Sequence, residues 1–257
     1  MRRLRRTRPS ARLGSLSGSA GAVGAAVADL LLPPVCAGCG LIGASACDGC
    51  LAEFTSGLVP VRQGITALAT HDGIPRELVL ANKERGRRDL ARPLGQALAT
   101  AVPRLPRASP APDGTWWFVP VPSRPSAARS RGGSHVLALA RWCAASLADR
   151  GEAAAVAPAL RLSASAKDAV GLSRAARVAN LEGRVRFDPA GAPRPETPVV
   201  LLDDVITTGA TAEACTRVLA AHGVVVTAVL TLTSASGRSR GPAATTTSNS
   251  RTCHPHG

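Results

Sequence analysis

The chain has 257 residues, of which 45% are hydrophobic, so it can bury one full α/β domain and a small additional lobe. Its net charge of +14 is typical of a nucleic-acid-binding protein, but nine of the 31 basic residues lie in two acid-free arms, residues 1–12 and 234–257. With no Tyr, three Phe and three Trp, the chain offers few rings for stacking single-stranded bases, which argues against an autonomous DNA-binding module.

The amino-terminal segment, residues 1–28, is basic and rich in Ala and Gly, and we expect it to be disordered. The apolar stretch after it carries Asp29 and meets Pro33 and Pro34. This pattern favours neither a secretory leader nor a membrane-spanning helix, so the expected location is cytoplasmic, with no membrane partner.

Four cysteines follow in two CxxC pairs, Cys36 with Cys39 and Cys47 with Cys50. Two such pairs, each containing glycine, can place four thiolates around one tetrahedral ion, and Zn²⁺ is the default metal. A disulfide pair and an iron–sulfur cluster remain the alternatives. The interpretation is a structural four-cysteine zinc ribbon over residues 29–54.

The main domain is predicted over residues 62–233. Leu90, Leu94 and Leu98 recur at helical spacing, after a basic cluster that contains Lys83. That cluster either faces a phosphate or is a solvated surface.

Residues 116–121 read as a core strand, Ser123 to Ser134 as an Arg-rich loop, and residues 135–147 as a helix. Arg124 and Arg131 suit a diphosphate, because guanidinium groups bind phosphate in a bidentate manner, although an exposed loop explains them too. The basic stretch at 161–187 is a lid or a plain surface helix. Three histidines, at 71, 135 and 222, have no metal-ligand spacing and are expected to be structural.

The most informative run is residues 199–211, VVLLDDVITTGAT. Val199 to Leu202 are continuously apolar, as in a strand buried on both faces of a parallel sheet, and Asp203 and Asp204 mark its carboxyl end. Two adjacent acids need a partner, and a diol or a metal suits them, although a helix-capping role is the plainer alternative. The loop that follows supplies hydroxyls, a flexible glycine and backbone N–H groups that can bind an anion: Thr207, Thr208, Gly209, Ala210 and Thr211.

A helix is predicted from about 210 to 222, with Gly223 as its carboxyl cap, and then a strand over 224–232. The unit is therefore βαβ, with a ligand expected at the carboxyl ends of its strands. A P-loop ATPase is excluded, since no GxxxxGK[ST] element accompanies the acidic strand.

Residues 199–211 resemble the phosphoribosyl diphosphate (PRPP) motif of type I phosphoribosyltransferases. The order of the segments LLLPPVCAGCG…CDGCL, HDGIPRELVLANKERGRRDLARPLG, VPVPS, RSRGGSH and KDAVGLSRAARVANLEG resembles the ComF family within that superfamily, over about residues 30–232. The resemblance implies a doubly wound, mainly parallel α/β sheet with a small amino-terminal zinc ribbon built on the four cysteines, and a disordered tail at 234–257. Two positions depart from the family: RGGSH stands where many relatives have RGFNQ, and Asn82 stands where an aromatic often precedes the lysine.

The resemblance also implies a site. Asp203 and Asp204 would hold the ribose hydroxyls, the Thr/Gly loop the 5′-phosphate, and Mg²⁺ would accompany the diphosphate. Ser123, Arg124, Arg131 and Lys83 complete the predicted PRPP contacts. Two functions follow: transfer of the phosphoribosyl group to an unidentified acceptor with release of diphosphate, or a non-catalytic role in DNA uptake with a helicase-like partner. Weak single-stranded DNA contact would come from the Arg-rich arms.

Overall fold

The computed structural model describes residues 33–123, 133–163 and 184–235. Several predicted features therefore lie outside the described residues: the basic segment 1–28, Arg124 and Arg131, most of the predicted lid stretch, and the tail from residue 236.

A six-stranded, mainly parallel sheet forms the centre of the fold. The described residues form eight strands, six in this sheet and two in a separate pair. In chain order they are β1 Val59–Arg62, β2 Ile65–Thr70, β3 Trp116–Pro120, β4 Ala154–Val156, β5 Leu160–Leu162, β6 Val185–Phe187, β7 Pro198–Ile206 and β8 Val225–Ser234. The sheet order is β1-β2-β8-β7-β3-β4, in which only β1 is antiparallel to its neighbour. Strands β5 and β6 pair separately as an antiparallel ribbon.

Helices cover both faces of this sheet. They are α1 Asp48–Thr55, α2 Gly73–Lys83, α3 Ala91–Ala101, α4 His135–Ala148 and α5 Ala210–Ala220. The apolar residues of α2, α3 and α4 share one core with one face of the sheet, whereas those of α5 and the β5–β6 ribbon share a second core with the other face. The predicted class, a doubly wound α/β fold with a mainly parallel sheet, is confirmed.

Strand β7 lies in the middle of the sheet, which explains its sequence. Val199 and Leu201 belong to the core under α5, and Val200 and Leu202 belong to the core under α4, so the run is buried on both faces as expected. The strand does not end at Leu202, however. It continues to Ile206, because β8 extends to Ser234 and keeps the ladder paired beyond the two acids.

The predicted βαβ unit is present. Helix α5 ends at Ala220, two residues earlier than expected, and Gly223 follows with a φ of +76°, where a residue without a side chain ends the helix at no steric cost. Upstream, the three leucines at helical spacing are fully buried. The basic cluster is divided differently from the prediction: Lys83 ends α2, and Arg88 begins a 3₁₀ turn before α3.

The cysteine segment packs directly on this domain. Cys50 and Phe54 are almost fully buried in the same apolar core as α3, and Arg87 donates a hydrogen bond to the carbonyl of Val35 at 3.0 Å. The four-cysteine segment and the main domain therefore share one core. No helix within the described residues is long and apolar enough to cross a bilayer.

Candidate functional site

A cleft of about 570 Å³ opens at the carboxyl edge of the sheet, between β3 and β7. The chain leaves β3 toward β4 and leaves β7 toward β8, which lie on opposite sides, so this is the switch point at which doubly wound sheets bind ligands. Its lining comes from β7 itself, from the segments that follow β2, β3 and β7, and from the end of α2 and the start of α4. The cleft is lined by His71, Lys83, Ser123, His135, Asp203, Asp204, Thr207 and Thr211, among others.

Asp204 is the most strongly held residue of the cleft. Its side chain is only 5% exposed, and its Oδ2 lies 2.8 Å from both Lys83 Nζ and His135 Nε2. Its Oδ1 accepts a hydrogen bond from the Val205 amide at 2.8 Å. Burial opposes ionisation, but the His135 hydrogen bond and the Lys83 charge outweigh it and hold the pKa of Asp204 well below its ordinary value.

Asp203 is in the opposite electrostatic situation, because successive side chains of a strand point to opposite faces. It points toward the α5 side, away from Lys83 and His135, and in the described part of the chain no salt bridge reaches it. Burial, with the adjacent charge of Asp204, raises the pKa of Asp203 well above its ordinary value. The two acids are therefore not equivalent. Asp204 is an ionised carboxylate whose charge Lys83 balances, whereas the Oδ1 of Asp203 accepts the Asp204 amide at 2.9 Å and its carboxyl group forms no salt bridge with another described residue.

The loop after β7 has the geometry expected of an anion site. Thr207 and Thr208 are exposed, and the loop leads straight into the first turn of the 11-residue helix α5. Gly209 precedes that helix with a φ of +77°. Hydroxyl groups and helix amino-terminal N–H groups thus converge beside the acidic pair, where they can bind a phosphate.

Arg62 is placed against this loop, although nothing in its sequence context predicted it. A methyl group added at Gly209 would meet Arg62 Nη2, so the guanidinium would have to move away from the loop. The same Nη2 forms a 2.5 Å ion pair with Glu213 in the first turn of α5. Strand β1 therefore holds the start of α5 in place.

Of the other predicted contacts, Ser123 lies in the cleft and its Oγ is 3.1 Å from the Oγ of Ser134. Ser134 in turn caps α4 by accepting the amide hydrogen bond of Leu137. The Arg-rich loop between these serines, with Arg124 and Arg131, is outside the described residues. Of the basic cluster, Lys83 faces the cleft, whereas Arg85 and Arg87 pair with carboxylates at the exposed surface.

Two of the three histidines that were expected to be structural line the cleft. His135 touches Asp204, and His71 Nδ1 lies 2.8 Å from Thr233 Oγ1. Burial and the nearby charge of Arg76 lower the pKa of His71. Only His71 has a position that the sequence could indicate, because it directly follows the core strand β2, whereas His135 begins α4 fifteen residues after the end of β3. The third histidine, His222, stacks on Phe187 with ring centroids 4.1 Å apart, as a structural residue does.

The four predicted metal-binding cysteines form a second, separate cluster, and their Sγ atoms all lie within 4.8 Å of one another. The Cys47 amide donates to Cys36 Sγ at 3.3 Å, and a methyl group at Gly38 would meet Cys50 Sγ at 2.9 Å. Although burial opposes it, hydrogen bonds from the backbone lower the pKa of Cys36 to about 6, which favours the thiolate. Four convergent sulfur atoms suit a closed, structural tetrahedral site.

Comparison with known proteins gives limited information. No family model and no curated protein match the sequence. Among solved structures, the chain is similar to adenine phosphoribosyl transferase from Trypanosoma brucei in complex with AMP, pyrophosphate and ribose-5-phosphate. The identity is 13%, the match covers 77% of this chain and 95% of that one, and the TM-score is 0.41. Similarity at this level does not establish an activity, which has to follow from the cleft itself.

Proposed function

We propose that this chain is a phosphoribosyltransferase-like protein of the ComF type, which binds PRPP with Mg²⁺ and transfers the phosphoribosyl group to an acceptor. One observation carries the proposal: an acidic pair and a Thr/Gly anion loop lie side by side in one cleft at the switch point of a doubly wound sheet. A ribose bearing a 5′-phosphate presents a diol and an anion, and the cleft has a matching group for each.

The loop at the start of α5 would bind the 5′-phosphate of PRPP. Thr207 to Thr211 supply hydroxyls and backbone N–H groups at the start of α5, and the positive end of the helix dipole adds to them. Arg62 and Glu213 fix the position of this turn, so the donors are pre-organised for the phosphate.

At the ribose end of the cleft, Asp203 and Asp204 have different roles. Asp203 is the acceptor for the ribose hydroxyls, because the Lys83 and His135 side chains are bound to Asp204 instead. Asp204 binds Lys83 and His135, and it places these two side chains at the edge of the ribose. Hydrogen bonds donated by a diol would stabilise the ionised form of Asp203 and so offset the burial that raises its pKa.

In the transfer reaction the bond from ribose C1 to the diphosphate oxygen breaks, and its electron pair leaves with the diphosphate. The acceptor nitrogen forms the new bond to C1 and loses its proton. Lys83 lies where it can stabilise negative charge on the departing group, and the cleft works by positioning and electrostatics. Mg²⁺, bound with PRPP, would neutralise diphosphate charge, and the Asp203 carboxylate is the kind of hard oxygen ligand that Mg²⁺ prefers.

The zinc ribbon completes the proposal as a structural element. Zn²⁺ held by the four cysteines would stabilise a segment that shares the core of α3. A closed four-thiolate zinc site suits a reducing compartment, so the location that we propose is cytoplasmic.

Calorimetric titration with Mg²⁺ and PRPP tests this function through the phosphate loop. We expect saturable binding by the unaltered protein, and a loss of about tenfold or more for Thr207→Val with Thr211→Val, because donors to a charged phosphate contribute about 1.5 to 3 kcal/mol each. Thr55→Val, at an exposed position that ends α1, is the matched control and should bind like the unaltered protein. Equal affinity of both variants would contradict the assignment of the loop.

A further inference from the structure

A second cavity lies behind the cleft, on the α4 side of the sheet. Its volume is about 170 Å³, and it is bounded by the end of α2, the 3₁₀ turn before α3, and the first two turns of α4. His135 lines both this cavity and the cleft, and Asn82 and Lys83, consecutive on α2, line one each. The two spaces are therefore neighbours that share the His135 side chain.

One wall of the cavity is an aromatic ring, the indole of Trp142, which is 40% exposed. Trp142 reaches it from α4, and a methyl group at Gly95 would lie 2.5 Å from Trp142 Cβ and 2.9 Å from the carbonyl of Leu139. Gly95 thus lets α3 and α4 approach closely. The guanidinium of Arg92 lies 5.4 Å from the centroid of the indole, a cation–π contact that further holds the ring.

The remaining lining is apolar in the middle and polar at the cleft end. Ala91 and Ala138 contribute methyl groups, whereas Asn82, Ser134 and His135 contribute hydrogen-bonding groups. Asn82 is only 5% exposed, so its amide is one of the few buried polar side chains of the domain. His135 uses Nε2 for Asp204, and its Nδ1 is buried with no hydrogen-bond partner among the described residues.

The size of the cavity limits its ligand. An apolar cavity of about 150 Å³ holds a benzene molecule, so 170 Å³ admits one six-membered ring and excludes a nucleoside. Diphosphate does not suit it, because Arg88 is the only Lys or Arg among the described residues that line it, and Ala91, Ala138 and Trp142 contribute apolar groups. A planar ring with an amide-like edge suits it, since the ring can stack on an indole while an Asn side chain pairs with that edge.

We propose that this cavity is the acceptor pocket and that it takes a single-ring pyrimidine base. The inference rests on the proposed function. The ring nitrogen gives its electron pair to ribose C1, the C1–oxygen bond breaks with its pair going to the diphosphate, and the ring N–H proton leaves to water. His135 and Asn82, at the boundary between the two spaces, position the ring.

The test is calorimetric titration with uracil, cytosine or thymine of protein already saturated with Mg²⁺ and PRPP, together with detection of released diphosphate. At least one of these bases should bind. Ala138→Leu fills the cavity without altering any residue of the cleft, and it should weaken base binding about tenfold or more, while PRPP affinity stays within about twofold. Ala145→Leu, the same change on an exposed position of the same helix, is the control and should bind both ligands normally.

Asn82→Leu gives a second variant should Ala138→Leu fail to fold, and it should also lose base binding while retaining PRPP. The inference is overturned if PRPP binds and none of the three bases does, or if Ala138→Leu leaves base affinity unchanged. It is also overturned if Ala138→Leu weakens PRPP as much as the base, because the cavity would then belong to the diphosphate. Failure of PRPP to bind the unaltered protein would instead refute the proposed function, and base titration without PRPP would still test the cavity.

Discussion

Replacing Asp204 by Asn should destabilise the protein more than any other single change in the cleft. The carboxylate is 5% exposed and receives Lys83, His135 and the Val205 amide, each at 2.8 Å. Removing one partner of a buried ion pair costs about 3 to 5 kcal/mol. Lys83 is 32% exposed, so water replaces part of the lost interaction, and a cost of about 2 to 3 kcal/mol is expected.

Urea and thermal unfolding, followed by circular dichroism at pH 7.5, measure this cost. A loss of about 2 to 3 kcal/mol lowers the midpoint of a domain this size by roughly 4 to 12 °C. Asp203→Asn is the matched control: it removes a carboxyl group whose pKa burial and Asp204 hold high, so the free energy of unfolding should rise or stay unchanged.

The pH dependence has opposite signs for the two variants. The pKa of Asp204 is lowered on folding, so its contribution is complete above about pH 5 and is lost as the pH falls below about 4, where the deficit of Asp204→Asn should shrink. The pKa of Asp203 is raised, so wild-type protein should lose stability relative to Asp203→Asn as the pH rises above about 4. Equal destabilisation by both substitutions, or an Asp204→Asn cost within about 0.5 kcal/mol of zero, would refute the division between the acids.

Three other outcomes are expected. Elemental analysis should give about one zinc per chain, and Cys36→Ser with Cys39→Ser should remove it and lower the thermal midpoint, because the ribbon shares the core of α3; metal-free unaltered protein would contradict this. Gly209→Ala should reduce PRPP affinity about tenfold or more, since the methyl group meets Arg62, whereas Gly114→Ala, with a similar φ of +81° and open space around it, should leave affinity unchanged. Deleting residues 1–12 and 236–257 should flatten the salt dependence of single-stranded DNA binding; an unchanged slope would exclude the arms as the contact.

Much of the fold followed from local patterns. The run from Val199 to Leu202 predicted a doubly buried strand because four consecutive apolar residues satisfy both faces of a central strand. Gly223 marked the end of α5 for a similarly local reason, its positive φ. The end of β7 was wrong by four residues, since strand length depends on the neighbouring strand β8.

The surroundings of the acidic pair could not be predicted in the same way. His135 lies 69 residues before Asp204 in sequence and meets it only through the sheet topology. A sequence motif also treats Asp203 and Asp204 as one pair, whereas the strand places their side chains on opposite faces. The contact of Arg62 with the start of α5 is likewise tertiary, because it joins the edge strand β1 to Glu213, a residue far along the chain.

The most direct measurement of the central claim is a ³¹P NMR titration of PRPP and Mg²⁺ with the unaltered protein, since it resolves the 5′-phosphate from the two diphosphate phosphorus atoms. The 5′-phosphate resonance should shift or broaden on binding, ribose 5-phosphate should compete for the same site, and both effects should be lost in Thr207→Val with Thr211→Val. If only the diphosphate resonances respond, or none does, then the cleft does not hold a phosphoribosyl group.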